Sequence, residues 1–88
     1  MGVRERIEAK LTEAFRPEAL EVEDESERHR GHGGWREGGE THFHVRMTSA
    51  AFAGEGRVAR QRAVNRVLAD ELADRVHALG MTLKAPGE

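Results

Sequence analysis

Val76-His77-Ala78-Leu79-Gly80-Met81-Thr82-Leu83-Lys84-Ala85 is the stretch on which the architecture turns. Helical spacing that runs through Val64, Val67, Leu68 and Leu72 continues to Val76 and Leu79, yet Leu79, Met81, Leu83 and Ala85 alternate as strand residues do. Read as helix, the segment leaves only a two-stranded hairpin elsewhere in the chain, which is marginal in water. Read as strand, residues 76–85 supply a third member and a more stable sheet. The strand is the better reading, and Pro86 closes it.

The rest follows outward from there. A long helix is predicted from about residue 57, and Ala50 to Gly56 before it read as a turn or a single helical turn. Phe43, Val45 and Met47 alternate with His42, His44 and Arg46, predicting a strand with both histidines on the face opposite the core. Leu20 and Val22 alternate with Glu21 and Glu23 up to Asp24 and Ser26, which gives another strand, and the glycine-rich residues 27–40 between the two read as a long loop. A hydrated cross-strand network of His42 and His44 against Glu21 and Glu23 is expected on the wet face. Val3, Ile7, Leu11, Ala14 and Phe15 mark an amphipathic helix over residues 2–15 that Pro17 ends. The order helix, strand, strand, short helical turn, helix, strand predicts an α+β domain with its helices on one face of a three-stranded sheet. With 88 residues and no internal repeat, one domain over 1–88 is expected.

Composition narrows the function. Charged residues make up 34% and hydrophobic ones 38%, which suits a globule rather than a disordered chain. Without cysteine the chain cannot hold an iron–sulfur cluster through its own thiolates, so metal work must use imidazoles or borrow sulfur from a partner. No apolar run reaches the roughly 18 residues a membrane helix needs, and an N-terminus carrying Glu5 and Glu8 does not read as a signal peptide, so cytoplasm is the expected compartment. No nucleophile elbow, phosphate-cradling loop or dinucleotide fingerprint occurs, and Asp24, Glu25 and Glu27 read as a solvated acidic edge; no enzyme is expected.

Two clusters remain. His29, His32, His42 and His44 fall within one sixteen-residue stretch, with His77 far away in sequence. His29 and His32, three apart in a loop, can share a metal, substitute for one another, or merely be solvated. His77 reads either as a half-buried ring bonded to a carbonyl or as a ligand. Trp35, among the loop glycines, either docks on a partner or folds back over its own loop. The second cluster is basic: the net charge is −2, but residues 57–88 carry six basic and four acidic side chains against eight and twelve in residues 1–56. Most of that surplus is Arg57, Arg60, Arg62 and Arg66. Cations at a helix start oppose its dipole by about 0.3–1 kcal/mol each at exposed sites, so a compensating anion is expected. Phosphates, an acidic partner, or a solvated face balanced by Asp70, Glu71 and Asp74 all remain open.

Leu20-Glu21-Val22 leading into Asp24-Glu25-Ser26, then Gly39-Glu40-Thr41-His42-Phe43, Phe52-Ala53-Gly54, Arg60-Gln61-Arg62 and Val76-His77-Ala78-Leu79, resemble in order and spacing the signature segments of the BolA family. The resemblance covers nearly the whole chain. It implies a class II KH-like fold, with a short helical turn near Ala50–Ala53 and a last strand beginning near Val76. It also implies a heterodimer with a monothiol glutaredoxin that shares a [2Fe–2S] cluster, this side supplying His77 and one loop histidine, His29 or in reserve His32. The glutaredoxin and its glutathione would bring the thiolates, so no cofactor belongs to the isolated chain. The function implied is cluster trafficking or iron and redox sensing, with weak self-pairing as a second association. The alternative is a DNA-binding transcriptional regulator using Arg57, Arg60, Arg62 and Arg66. Two departures bear on it: Gln61 stands where the family often has a histidine, and Gly54-Glu55-Gly56 is not the Gly-x-x-Gly clamp of KH modules.

Overall fold

A computed structural model describes residues 2–26 and 40–88. Helix α1 spans Val3–Phe15. Its start is fixed by the Gly2 N–H donating to Glu5 Oε2 at 3.0 Å, and its end by Arg16 in a left-handed conformation ahead of Pro17. Val3, Ile7 and Leu11, four apart, are its buried stripe.

Strands β1 (Ala19–Asp24), β2 (His42–Thr48) and β3 (Ala78–Lys84) form one sheet in that order. β1 runs antiparallel to β2, and β3 runs parallel to it. A parallel neighbour requires a crossover, which the chain makes through a 3-10 turn at Ala50–Phe52, α2 (Arg57–Val67) and α3 (Ala69–Ala73). Register places Val22, Val45 and Met81 side by side, with Leu20, Met47 and Leu83 in the next row of the same face. Against this face pack Ile7, Leu11, Val64 and Leu68, closing the core with Phe43 and Phe52. Burying each such side chain contributes about 1.5–3 kcal/mol, which explains why the alternation decides the strand pairing.

The layer order matches the expectation: helices lie on one face of a three-stranded sheet. Three details differ. The long helix from residue 57 is interrupted at Leu68, whose φ of −101° and ψ of 19° leave the helical range while its side chain stays buried. The third strand begins at Ala78, because Val76 turns into the core before the strand pairs. On the other sheet face, Arg46 rather than a histidine meets the acids: Arg46 Nη1 lies 2.8 Å from Glu21 and 3.8 Å from Glu23. His44 reaches β3 instead, with Nε2 2.9 Å from Thr82 Oγ1. Its ring lies so close over Gly80 that a β-carbon there would sit 2.6 Å from Nδ1. His42 is only 3% exposed, so the hydrated role expected for it does not hold. Among the described residues no helix is long and apolar enough to cross a membrane.

Candidate functional site

His77 stands just ahead of β3, exposed, between two anchors. Its own backbone N–H donates to Thr41 O at 2.7 Å, and that of Ala78 donates to the same carbonyl at 3.2 Å. On the other side, Val76 is buried and donates its N–H to Glu71 O at 3.0 Å. With Val76 turned in and the backbone held at both ends, the His77 ring is left outward.

Glu71 ties this segment to the rest of the fold. Its carboxylate, though 1% exposed, takes Lys10 Nζ at 2.9 Å and Arg6 Nη2 at 3.3 Å from α1. Burial pushes the carboxyl up, but the hydrogen bonds from Lys10, from its own backbone and from Arg6 outweigh that, and its pKa lies below the ordinary value. The same hydrogen bond to Glu71 raises Lys10 despite partial desolvation.

The two ends of the 27–39 segment meet the same place. Ser26 Oγ donates to Asp24 Oδ1 at 2.5 Å and accepts from the backbone N–H of Thr41 at 2.9 Å and of His42 at 3.3 Å. Asp24 Oδ2 accepts from Glu40 N at 3.1 Å, and Glu25 N donates to His42 O at 2.7 Å. Thr41 therefore receives the Ser26 clamp through its N–H and offers its carbonyl to His77. Ser26→Ala leaves two buried N–H groups without their partner and removes one of the two hydrogen bonds from Ser26 to Asp24 Oδ1, the backbone one remaining. A loss of about 1–3 kcal/mol is expected, with faster hydrogen exchange at Thr41 and His42. An unchanged urea midpoint together with unchanged exchange would show that the clamp contributes nothing.

His29, His32 and Trp35 lie outside the described residues. The structure brings a different imidazole to His77. The His42 ring centroid lies 5.5 Å from that of His77 at an interplanar angle of 55°, with His42 Nδ1 2.9 Å from Thr41 Oγ1. Sequence reading missed this pair because alternation placed His42 on an open face; the signal lies in the parallel register, which sets His42 opposite Ala78. Among the described residues no three histidine or carboxylate groups converge as a metal site. Two adjacent imidazoles, one of them exposed, can supply part of a metal's shell and need donors from elsewhere to complete it.

The arginines of α2 separate into two kinds. Arg57, Arg62 and Arg66 are exposed, and Arg62 and Arg66 stand four apart on one helix. Arg60 is turned inward, its side chain 12% exposed, in ion pair with Glu88. Among the described residues, the compensating anion expected at the helix start is thus present for Arg60 alone.

Known proteins of the same kind are readily found. A family profile described as BolA-like protein matches residues 11–88. An uncharacterised protein in the cobS 5′ region of a Sinorhizobium species is 53% identical over 89 residues, covering 100% of this chain and 96% of that one. The DNA-binding transcriptional regulator BolA of Escherichia coli strain K12 is 47% identical over 81 residues, covering 92% of this chain and 73% of its own length. Among solved structures, BolA1 from Arabidopsis thaliana superposes with a TM-score of 0.88 at 34% identity, covering 100% of this chain and 96% of that one. Profile, full-length identity and superposition agree with the sequence segments, and the chain belongs to the BolA-like family.

Proposed function

We propose that this protein is an iron–sulfur cluster adaptor: it binds a monothiol glutaredoxin and holds one side of a [2Fe–2S] cluster through His77 and a histidine of the 27–39 segment, His29 or His32. The observation that carries the reading is the convergence of an outward His77 and both ends of the histidine-rich segment on Thr41. The donor set suits the cargo. This chain offers imidazoles and no thiolate, so glutaredoxin and glutathione would complete the shell. Two imidazoles in place of two thiolates on one iron lower the negative charge of the cluster and raise its potential. His42, against the His77 ring, is a third candidate nitrogen. In this reading the protein binds and hands over, and it carries out no catalysis. Mixing it with cluster-loaded glutaredoxin is expected to change the visible absorption and circular dichroism of the cluster. A spectrum equal to the sum of the two components would remove the proposal.

A second reading is favoured by one specific observation, the exposed pair Arg62 and Arg66 one turn apart on α2 with Arg57 exposed at the helix start, together with the DNA-binding relative in Escherichia coli. In it the protein regulates transcription by setting these cations against duplex phosphates. Affinity measured by fluorescence anisotropy should fall steeply with salt, and Arg62→Ala should weaken binding and reduce the salt slope by about 1. No binding at low salt, or a slope untouched by Arg62→Ala, would exclude this use of α2.

A further inference from the structure

Arg60 is held by more than its ion pair. Nε donates to Glu55 O at 2.8 Å, Nη1 donates to Leu83 O at 3.2 Å, and the guanidinium lies 5.9 Å from the centre of the Phe52 ring. Two carbonyls and an aromatic ring thus fix the group in place without any anion. Its remaining directed N–H bonds form a fork: Nη1 to Glu88 Oε1 at 2.6 Å and Nη2 to Glu88 Oε2 at 2.7 Å. Glu88 Oε1 also accepts from the Ala85 backbone N–H at 3.0 Å. One carboxylate therefore fills a pocket of three donors.

Glu88 reaches this pocket by a turn written in the sequence. Ala85-Pro86-Gly87-Glu88 closes with Glu88 N donating to Ala85 O at 3.1 Å, and Gly87 has a φ of 87°. Proline at the second position and a left-handed glycine at the third define a type II turn, which fixes the direction in which Glu88 returns. Beside Arg60, between α2 and β3, lies a groove of about 440 Å³ lined also by Glu55, Arg57, Gln61, Met81, Thr82 and Leu83. The Glu88 side chain is 46% exposed, so solvent and solutes reach the anion while Arg60 stays covered. The hydrogen bonds from Arg60 and from Ala85 hold the Glu88 carboxyl at about 2, so it stays ionised in neutral solution and leaves the pocket by competition, not by protonation.

We propose that Arg60 and the Ala85 N–H form an oxyanion-binding site, occupied in cis by Glu88, into which an external phosphate or carboxylate exchanges. Bidentate guanidinium recognition suits both anions, since each presents two oxygens to the fork. An intramolecular carboxylate on a short stiff turn acts as a competitor at a high effective concentration, so the site in the wild type answers only to high external anion. Removing that competitor while keeping its shape uncovers the affinity. This site is separate from His77, and neither proposed function has to hold for it to exist.

The test is an NMR titration of wild type and Glu88→Gln with inorganic phosphate, and in a second arm with acetate, at constant ionic strength. The Arg60 Nε–H and Ala85 amide signals should shift saturably in Glu88→Gln, with a midpoint at least about fivefold lower than in wild type. Arg60→Lys, which keeps the charge but loses the fork, should abolish the saturable shift at Ala85. Saturation with phosphate alone or with both anions supports the site and tells which oxyanion it prefers. Equal midpoints in wild type and Glu88→Gln, no saturable shift at Arg60 in Glu88→Gln, or shifts confined to Arg57, Arg62 and Arg66 overturn it. Should Arg60→Lys fail to fold, the comparison of wild type with Glu88→Gln still decides.

Discussion

His77→Ala is expected to abolish the change in visible circular dichroism that wild type produces in cluster-loaded glutaredoxin, while leaving the far-ultraviolet spectrum and urea midpoint nearly unaltered. Under the proposed ligation the effect on the cluster is large, because one ligand would be removed outright. The effect on the fold is small because the described hydrogen bonds that position residue 77 are backbone ones: its N–H to Thr41 O and, one residue earlier, Val76 N–H to Glu71 O. An exposed side chain away from the core ordinarily contributes within about 0.5 kcal/mol. The same measurement on His42→Ala separates the neighbouring imidazole, whose burial makes it the costlier of the two to lose. A wild-type-like cluster spectrum in His77→Ala would take this residue out of the coordination shell and move attention to His42 and the 27–39 segment.

Removing the two α1 cations that reach Glu71, Arg6→Ala with Lys10→Ala, is expected to cost about 3–5 kcal/mol, because it strands the Glu71 carboxylate in the interior. Against a total stability of about 5–15 kcal/mol for a domain, that is close to unfolding. The sign of the pH dependence makes the test specific. In wild type the Glu71 carboxyl titrates below its ordinary 4.5, so its stabilising contribution is present above that value and is lost as pH falls through the folded-state pKa. In the double variant, burial is opposed only by the hydrogen bond from its own backbone, and the folded-state pKa is expected to rise above 4.5. Acidification then protonates a group that was destabilising, and this variant gains stability where wild type loses it. Adding Glu71→Leu should restore most of the loss and flatten the acid limb of the urea-midpoint profile. A double variant with wild-type stability and an unchanged profile would mean that water, not α1, satisfies Glu71.

Much of the fold was legible because its elements carry clean periods. Val3, Ile7 and Leu11 announce α1, and Phe43, Val45 and Met47 announce the core face of β2. The harder choice at residues 76–85 came out as strand, since Leu79, Met81 and Leu83 do line the core face. The parallel sense of β3 was not legible: period two gives faces and says nothing of direction. That one unknown hid the His42–His77 contact, because only the parallel pairing of β2 with β3 brings the start of β3 beside His42. The inward fate of Arg60 was hidden for a related reason. Four arginines look alike in a helix, and what distinguishes Arg60 comes from elsewhere in the chain: the carbonyls of Glu55 and Leu83, the Phe52 ring and the return of Glu88 through Pro86-Gly87. The charge on Glu71 was visible, but not that it is buried, since α3 leaves the axis of α2 only after Leu68.

The tie that Asp24 and Ser26 make with Glu40 and Thr41 joins points sixteen or fewer residues apart through a side-chain carboxylate, a hydroxyl and two backbone N–H groups. For a chain tied at two fixed points, doubling the enclosed length costs only about 0.6 kcal/mol in closure entropy, so lengthening between these ties is inexpensive. The sequence enclosed by the tie can therefore change in length while the flanking strands keep Val22, Phe43 and Val45 in the hydrophobic nucleus.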